Sequence, residues 1–109
     1  MSRSLAPWVV VLALAGCATP PAGPEFDDPS NGTGSFSRAV LAGELVFLAG
    51  VLGTADGGLV SGGNTAETTQ AIRNIKKALA VHDLTLANVV KCTVFLADIA
   101  EWPAFNEIY

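Results

Sequence analysis

The residue types that most often act as nucleophiles or metal ligands are scarce in this chain and far apart. Its 109 residues contain two cysteines, Cys17 and Cys92, and one histidine, His82. Zinc sites need several such ligands at short spacings, and a catalytic Cys/His pair needs both partners. Cys92 lies in an apolar run and is interpreted as a small buried hydrophobe, and His82 as the polar end of a helix. The sequence therefore predicts neither a metal site nor cysteine-based catalysis.

The charge balance argues against a nucleic-acid partner. The formal net charge is −4, and loss of a leader containing Arg3 would leave five Lys and Arg against ten Asp and Glu. Only Lys76 and Lys77 are adjacent, and a solvated helix face is a better interpretation of this pair than a phosphate-binding patch. The glycine-rich stretch 52–63 lacks the spacings of phosphate-binding loops, so an irregular connection is predicted there.

The N-terminus is typical of a secreted protein. Arg3 precedes an apolar run over residues 5–15 that is too short to span a bilayer comfortably. The run ends in Leu14-Ala15-Gly16-Cys17, which resembles the bacterial lipobox, where the cysteine receives a diacylglycerol; an ordinary signal peptide that happens to contain a cysteine is the alternative. Residues 1–16 are thus predicted to be a lipoprotein signal peptide.

The segment 17–34 is rich in Pro, Gly, Ser and acidic residues and is predicted to be a flexible tether. Several acyl chains on Cys17 would anchor the protein stably to a membrane. Ala18, by resemblance to known lipoproteins, favours the outer membrane, on its periplasmic side. Lipidation of Cys17 would leave Cys92 without a disulfide partner.

Periodicity predicts the elements of the remaining 35–109. Apolar segments at 36–41 and 45–49 indicate a hairpin, and Asn64 and Glu67 have the spacing of a capping box at the start of a helix that runs to about Val81. Alternation over 89–96 predicts a strand with one face on the core, and Pro103 predicts the first turn of a second helix. The apolar stripe of the first helix comprises Ala71, Ile72, Ile75, Ala78 and Leu79. Its other residues, predicted mostly to face water, include Glu67, Gln70, Arg73, Asn74, Lys76 and Lys77. The order indicates an α+β layer with both helices on one face of a sheet.

Four blocks of sequence resemble the Rid family of reactive-intermediate deaminases, also called the L-PSP endoribonuclease family. The blocks are residues 36–40 (FSRAV), 59–63 (LVSGG), 88–99 (NVVKCTVFLADI) and 105–109 (FNEIY). The resemblance implies a chorismate-mutase-like sheet with two helices on one face, homotrimers, and ligand sites between subunits. It also implies hydrolysis of enamines or imines such as 2-aminoacrylate to a 2-keto acid and ammonia, without a cofactor.

Carried over residue by residue, the resemblance implies three substrate-binding positions. Phe36 stands where many members have a tyrosine, Gly50 completes a pair in which Ala49 replaces a serine, and Asn106 matches an asparagine that shapes the cleft. A core phenylalanine, a strand-end turn and a helix-surface amide are the structural alternatives for these three positions. The family's arginine and glutamate lie C-terminal to residue 109, so no catalytic residue is expected within the chain. Residues 35–109 are accordingly interpreted as a partial domain, incomplete at the C-terminus.

Three functions follow as hypotheses. The first is a membrane-tethered deaminase whose partners are an imine or keto acid and two further copies of itself. The second is a non-catalytic trimer that binds small molecules, because Phe36 and Ala49 both lack the family's hydroxyl groups. The third is a ribonuclease, suggested only by the family's other name, and the acidic charge balance disfavours it.

Overall fold

The computed structural model describes residues 23–29 and 33–109, which form five short strands and two helices. The predicted signal peptide, Cys17 and most of the predicted tether lie outside these described residues. The elements, in chain order, are β1 (Glu25–Asp27), β2 (Ala39–Ala42), β3 (Leu45–Leu48), β4 (Thr54–Ala55), β5 (Gly58–Leu59), α1 (Gly63–Ala80) and α2 (Trp102–Ile108). Two 3₁₀ turns, Leu86–Asn88 and Ile99–Glu101, connect the helices. Both helices and antiparallel strands are present, so the α+β class is confirmed.

The predicted hairpin is confirmed as β2 and β3, which pair antiparallel with Ala39 opposite Leu48 and Ala42 opposite Leu45. Gly43 has a φ of 60° in the two-residue connection, a backbone conformation that glycine adopts without steric cost. The strand β1 pairs with the other side of β2 and lies within the stretch 17–34 predicted to be a tether. Three residues are too few for alternation to reveal a strand in a polar, proline-rich context.

The glycine-rich stretch is more regular than predicted, because it contains the hairpin of β4 and β5. Asp56 and Gly57 form its turn with φ values of 51° and 86°. Asp-Gly is a favoured pair for a two-residue turn in which both residues have positive φ. The dipeptide was therefore a usable signal, and the interpretation of 52–63 as irregular was wrong over Thr54–Leu59.

The first helix has the predicted extent but a different start. It begins at Gly63 after Gly62, whose φ is 117°, and ends at Ala80, with no side-chain cap at its start. The predicted capping box is wrong, because Asn64 lies inside the first turn. Its Nδ2 donates to the carbonyl oxygen of Glu101 at 3.2 Å, and its Oδ1 accepts from Thr68 at 3.1 Å. Asn64 thus joins α1 to the start of α2.

The second helix is confirmed, with Pro103 in its first turn. Upstream, Asp98 accepts a hydrogen bond from the backbone N–H of Ala100 at 2.9 Å and so begins the 3₁₀ turn that leads into the helix. Phe105 is buried and stacks between Trp102 and Tyr109, with ring centroids 5.5 and 5.3 Å away. This aromatic ladder rigidifies a helix of only seven residues.

The strand predicted over 89–96 does not form. The described residues contain no strand partner for it, and Val90 and Phe95 are 86% and 92% exposed. The prediction that Cys92 is buried is also wrong, since it is an exposed free thiol. Alternation specifies which face of a strand is apolar, but a strand forms only when a neighbour supplies the hydrogen-bonding ladder.

The core of the described residues is small. Helix α1 packs mainly against α2 and β4, and the strands form a three-stranded sheet, β1–β2–β3, and the two-stranded hairpin β4–β5. Of the predicted stripe, Ala78 and Leu79 are buried, whereas Ala71, Ile72 and Ile75 keep partial exposure. The other buried residues among those described are Ala39, Gly53, Thr68 and Phe105. In the part of the chain that the structure describes, no helix is long and apolar enough to cross a bilayer.

Candidate functional site

Two of the three predicted substrate-binding residues lie at the same end of the β2–β3 hairpin. Phe36 precedes β2 and is 78% exposed, and Gly50 follows β3 and is also exposed. The antiparallel ladder continues beyond the strands, because the N–H of Ala49 donates to the carbonyl oxygen of Arg38 at 2.9 Å. The aromatic ring of Phe36 and the backbone of Gly50 therefore lie at the same end of the hairpin.

The third residue, Asn106, is exposed on α2, which packs mainly against α1. It thus belongs to a different part of the fold from the hairpin end. The high exposure of Phe36 argues against its alternative interpretation as a core side chain. Asn106 lies at the position of a helix-surface amide. A cleft that includes Asn106 would need a second surface that packs against α2.

An ion-pair cluster that the sequence analysis missed joins β1, β2 and the end of α1. Arg38 Nε and Nη2 donate to the two carboxylate oxygens of Asp27, both at 2.9 Å, and the backbone N–H of Arg38 donates to the Asp27 carbonyl at 2.8 Å. Such a two-pronged arrangement is the strongest geometry for this pair. The hydrogen bonds from Arg38 lower the pKa of Asp27, and those to Asp27 raise the pKa of Arg38. Arg38 therefore already binds a carboxylate within its own chain.

His82 belongs to the same cluster. Its Nε2 lies 3.2 Å from Asp27 Oδ2 and makes no directed hydrogen bond within the described residues. Its backbone N–H donates to the carbonyl oxygen of Leu79 at 2.9 Å, as expected at the end of a helix. The predicted cap is displaced by one residue, because α1 ends at Ala80 with Val81 as its C-cap and His82 follows; the His82 side chain adds a polar contact to β1.

The loop after Gly50 is fixed to α1 by polar side chains of the helix that the helical periodicity predicted to face water. Asn74 Nδ2 donates to the carbonyl oxygens of Leu52 at 3.0 Å and Thr54 at 2.9 Å. Asn74 Oδ1 accepts from Gln70 Nε2 at 3.0 Å. These amides were predicted mostly to face water, and the prediction failed because a helical pattern says nothing about loops that return to the helix.

Within this loop, Gly53 lies so close to α1 that it has no room for a side chain. A Cβ atom there would lie 2.5 Å from the Cα of Glu67 and 2.7 Å from its carbonyl carbon. The carbonyl oxygen of Gly53 also accepts from the N–H of Val60 at 3.0 Å, which ties the loop to the end of the β4–β5 hairpin. The segment 52–60 is therefore one ordered unit against α1.

An open apolar groove of about 430 Å³ runs between α1, the segment 86–92 and the end of α2. Ile72 and Ile75 line one wall, and Val89 and Cys92 line another. At its end, the neighbouring thiol of Cys92 raises the pKa of Tyr109. The groove exposes the face of α1 that the sequence predicts to be covered by a sheet. It offers apolar contact, with no pair of groups arranged for acid–base chemistry. Within residues 23–29 and 33–109, no cluster of three or more His, Cys, Asp or Glu residues could hold a metal ion.

Comparison with known proteins identifies the family. The model of the family described as Endoribonuclease L-PSP matches residues 28–109. A 2-iminobutanoate/2-iminopropanoate deaminase from Homo sapiens is 41% identical over 78 residues, which are 70% of this chain and 57% of the human protein. The chloroplastic Reactive Intermediate Deaminase A of Arabidopsis thaliana is 40% identical over 78 residues, which cover 42% of its length.

The fold agrees with this relationship. A crystal structure from Thermotoga maritima, of a protein described as a candidate endoribonuclease, superimposes with a TM-score of 0.66 at 30% identity and covers 81% of this chain and 71% of that protein. The chain spans a little more than half the length of the human deaminase. With the fold, the matched residues and the similarity of its relatives in agreement, the chain belongs to the Endoribonuclease L-PSP family, the family of the Rid deaminases.

Proposed function

We propose that this chain is part of an enzyme that hydrolyses 2-iminobutanoate, 2-iminopropanoate or the related 2-aminoacrylate. The observation that carries the proposal is its similarity to relatives named 2-iminobutanoate/2-iminopropanoate deaminase, which are 41% identical in Homo sapiens and 42% in Capra hircus. In this reaction water adds to the imine carbon, the carbon–nitrogen bond breaks, and ammonia and a 2-keto acid are released. The overall reaction consumes one water molecule per imine, and the released ammonia then takes up a proton from solvent.

The proposal divides the chemical tasks between two parts of the protein. The hairpin end supplies a wall, in which Phe36 offers an apolar ring and Gly50 a backbone open to close approach, since a Cβ at Gly50 would meet nothing within 4 Å. Asn106 supplies a polar amide if the cleft extends to α2. The substrate carboxylate needs a cation, and Arg38 is unsuited because Asp27 occupies its fork. The proposal therefore assigns the carboxylate-binding arginine and the water-orienting glutamate to sequence beyond these 109 residues, and it expects the 109 residues alone to be inactive.

A homotrimer is part of the proposal, and the outer face of the small sheet supports it. The register aligns Phe26, Val40 and Phe47 in a row across β1, β2 and β3, so the three side chains share one face. Phe26 and Phe47 are 62% and 57% exposed. Burial of such a face against other copies would remove apolar area from water, which stabilises an assembly by about 25 cal/mol per Å².

The membrane anchor remains a proposal that rests on sequence alone. We infer that Cys17 is lipidated and holds the domain at the outer membrane, on its periplasmic side. Metabolic labelling with a clickable fatty acid tests this directly in the native host. The wild-type protein is expected to incorporate the label and to fractionate with outer membranes, while Cys17→Ser is expected to incorporate none. Labelling of Cys17→Ser equal to wild type would refute the anchor.

The enzymatic proposal is tested with full-length protein and 2-aminoacrylate generated in situ by a pyridoxal-phosphate lyase. The expected result is release of pyruvate and ammonia faster than in a control without the protein. Release no faster than in that control would refute the deaminase.

The two alternatives have their own outcomes in the same set of experiments. Binding of a 2-keto acid without turnover would favour the non-catalytic trimer, which the absence of hydroxyl groups at Phe36 and Ala49 suggests. Degradation of single-stranded RNA at low salt would favour a ribonuclease, the activity for which the Thermotoga maritima protein is a candidate. The net charge of −4 makes tight RNA binding the least favoured result.

A further inference from the structure

Asn74 on the neighbouring helix α1 binds two backbone carbonyl groups of the loop that follows Gly50. Asn74 has two N–H donors on Nδ2, and they go to the carbonyl oxygens of Leu52 and Thr54, at 3.0 and 2.9 Å. Its oxygen accepts from Gln70 Nε2 at 3.0 Å, which selects this orientation of the amide over the flipped one. Both N–H groups of the Asn74 side chain thus donate to carbonyl groups of one loop.

Gly50 lies between two fixed points. Upstream, the N–H of Ala49 is bonded to the Arg38 carbonyl at 2.9 Å, and downstream the Leu52 carbonyl is bonded to Asn74. Only Gly50 and Val51 separate these anchored residues, and the three residue steps from Ala49 to Leu52 span at most about 11 Å. The backbone of Gly50 therefore has little freedom, while one of its sides stays open because a Cβ there would meet no atom within 4 Å.

We propose that Asn74 is a positioning residue for substrate, which fixes the Gly50 backbone by clamping the carbonyl groups of Leu52 and Thr54. The inference rests on the proposed function, because it takes Gly50 to border the bound imine. Asn74 itself touches no substrate and acts through the loop. A clamp of this kind reduces the ordering that binding would otherwise require, which favours affinity for the substrate.

The contacts around Gly53 make the clamp specific to Asn74. Gly53 fits against the backbone of Glu67, so the loop can approach α1 closely enough for one short side chain to reach carbonyl groups on both sides of that glycine. Asp has the same length as Asn and can still accept from Gln70, but an ionised carboxylate has no proton to donate. Asn74→Asp therefore replaces two attractive contacts with repulsion between oxygens about 3 Å apart.

The test compares Asn74→Asp with Asn88→Asp in full-length protein. Asn88 Oδ1 accepts from the backbone N–H and the hydroxyl of Thr85 at 2.9 and 3.2 Å, so Asn88→Asp adds the same charge and can keep both of these hydrogen bonds. We expect Asn74→Asp to lower kcat/KM for 2-iminobutanoate hydrolysis about tenfold or more, mainly through KM, and Asn88→Asp to change it less than twofold. Hydrogen exchange should accelerate at Val60, whose N–H is bonded to Gly53, and stay unchanged in the middle of α1.

Each outcome decides between distinct claims. If kcat/KM of Asn74→Asp stays within twofold of the Asn88→Asp control, the positioning role is refuted while the deaminase stands. If exchange accelerates equally throughout α1, the asparagine serves helix stability and the positioning role is again refuted. If the wild-type protein neither hydrolyses 2-iminobutanoate nor binds 2-oxobutanoate, the proposed function fails first, and the substrate role of the loop falls with it.

Discussion

The close contact between the loop and α1 makes Gly53→Ala the most informative single substitution for the fold. The added methyl group would lie 2.5 Å from the Cα of Glu67 and 2.7 Å from its carbonyl carbon. Carbon atoms in proteins normally stay 3.5 Å or more apart, so at least about 1 Å of movement is required. The neighbours are helix backbone, which cannot rotate away as a side chain would.

Two opposing effects determine the change in the free energy of unfolding of Gly53→Ala. Overpacking of this kind costs about 1–3 kcal/mol, and the loss of glycine freedom in the unfolded chain returns about 0.4–1 kcal/mol. We therefore expect the free energy of unfolding to fall by about 1–2 kcal/mol. For a domain of this size, that corresponds to a fall in Tm of at least about 4 °C.

The matched control is Gly58→Ala in β5. A Cβ at Gly58 would meet no atom within 4 Å, and its φ lies outside the positive range. Only the unfolded-state effect then applies, so Gly58→Ala should be neutral or should stabilise by up to about 1 kcal/mol. Urea unfolding of both variants, followed by circular dichroism, measures the difference. Equal stability of Gly53→Ala and Gly58→Ala would refute the packing of this loop against Glu67.

Three further predictions test the ion pair, the core and the apolar face. Because Arg38 lowers the pKa of Asp27, the ion pair stabilises the fold at pH values above the ordinary pKa of a carboxyl group, and this stabilisation is lost as the pH falls below about 4. Asp27→Asn should therefore flatten the part of an acid-unfolding curve below about pH 4. An unchanged curve would contradict the pairing. Leu79→Ala, at a buried site, should cost about 2–5 kcal/mol in urea unfolding, whereas Leu59→Ala, at a mostly exposed one, should cost less than about 1 kcal/mol. Phe47→Ser should weaken self-association in sedimentation velocity of full-length protein, and an unchanged sedimentation coefficient would exclude this face from the interface.

Local patterns predicted the elements whose stability is itself local. The apolar periodicity of α1 and the proline at the start of α2 specify helices through contacts within each segment, and both helices form. The hairpin β2–β3 needs only a short turn between apolar segments, and it forms too. The end of α1 at Ala80 was within one residue of the predicted Val81.

Features that depend on residues distant in the chain were not predicted. The Asp27–Arg38 fork joins positions 11 apart, and no spacing rule marks such a pair. Asn64 and Asn74 were assigned to a cap and to solvent, whereas each one bonds the backbone of another segment. The segment 89–96 shows the opposite failure, because its alternation is that of a strand and the ladder partner it needs is not among the described residues.

The candidate site was predicted less completely than the fold. Phe36 and Gly50 were predicted from the family resemblance. The hairpin brings them to one end because its two strands are antiparallel. The resemblance did not suggest that Asn74 anchors the loop after Gly50, because its partners are backbone carbonyl groups and leave no trace in residue types. An asparagine that donates to the backbone of a loop distant in sequence is identified only from coordinates.

The most direct test of the central claim is the initial rate of 2-oxobutanoate formation from 2-iminobutanoate, which an amino-acid oxidase generates in the presence of full-length protein. We expect a rate that rises in proportion to the concentration of protein and falls about tenfold or more in Asn74→Asp. A rate equal to that of the spontaneous reaction at every protein concentration would contradict the assignment of this chain to an imine deaminase.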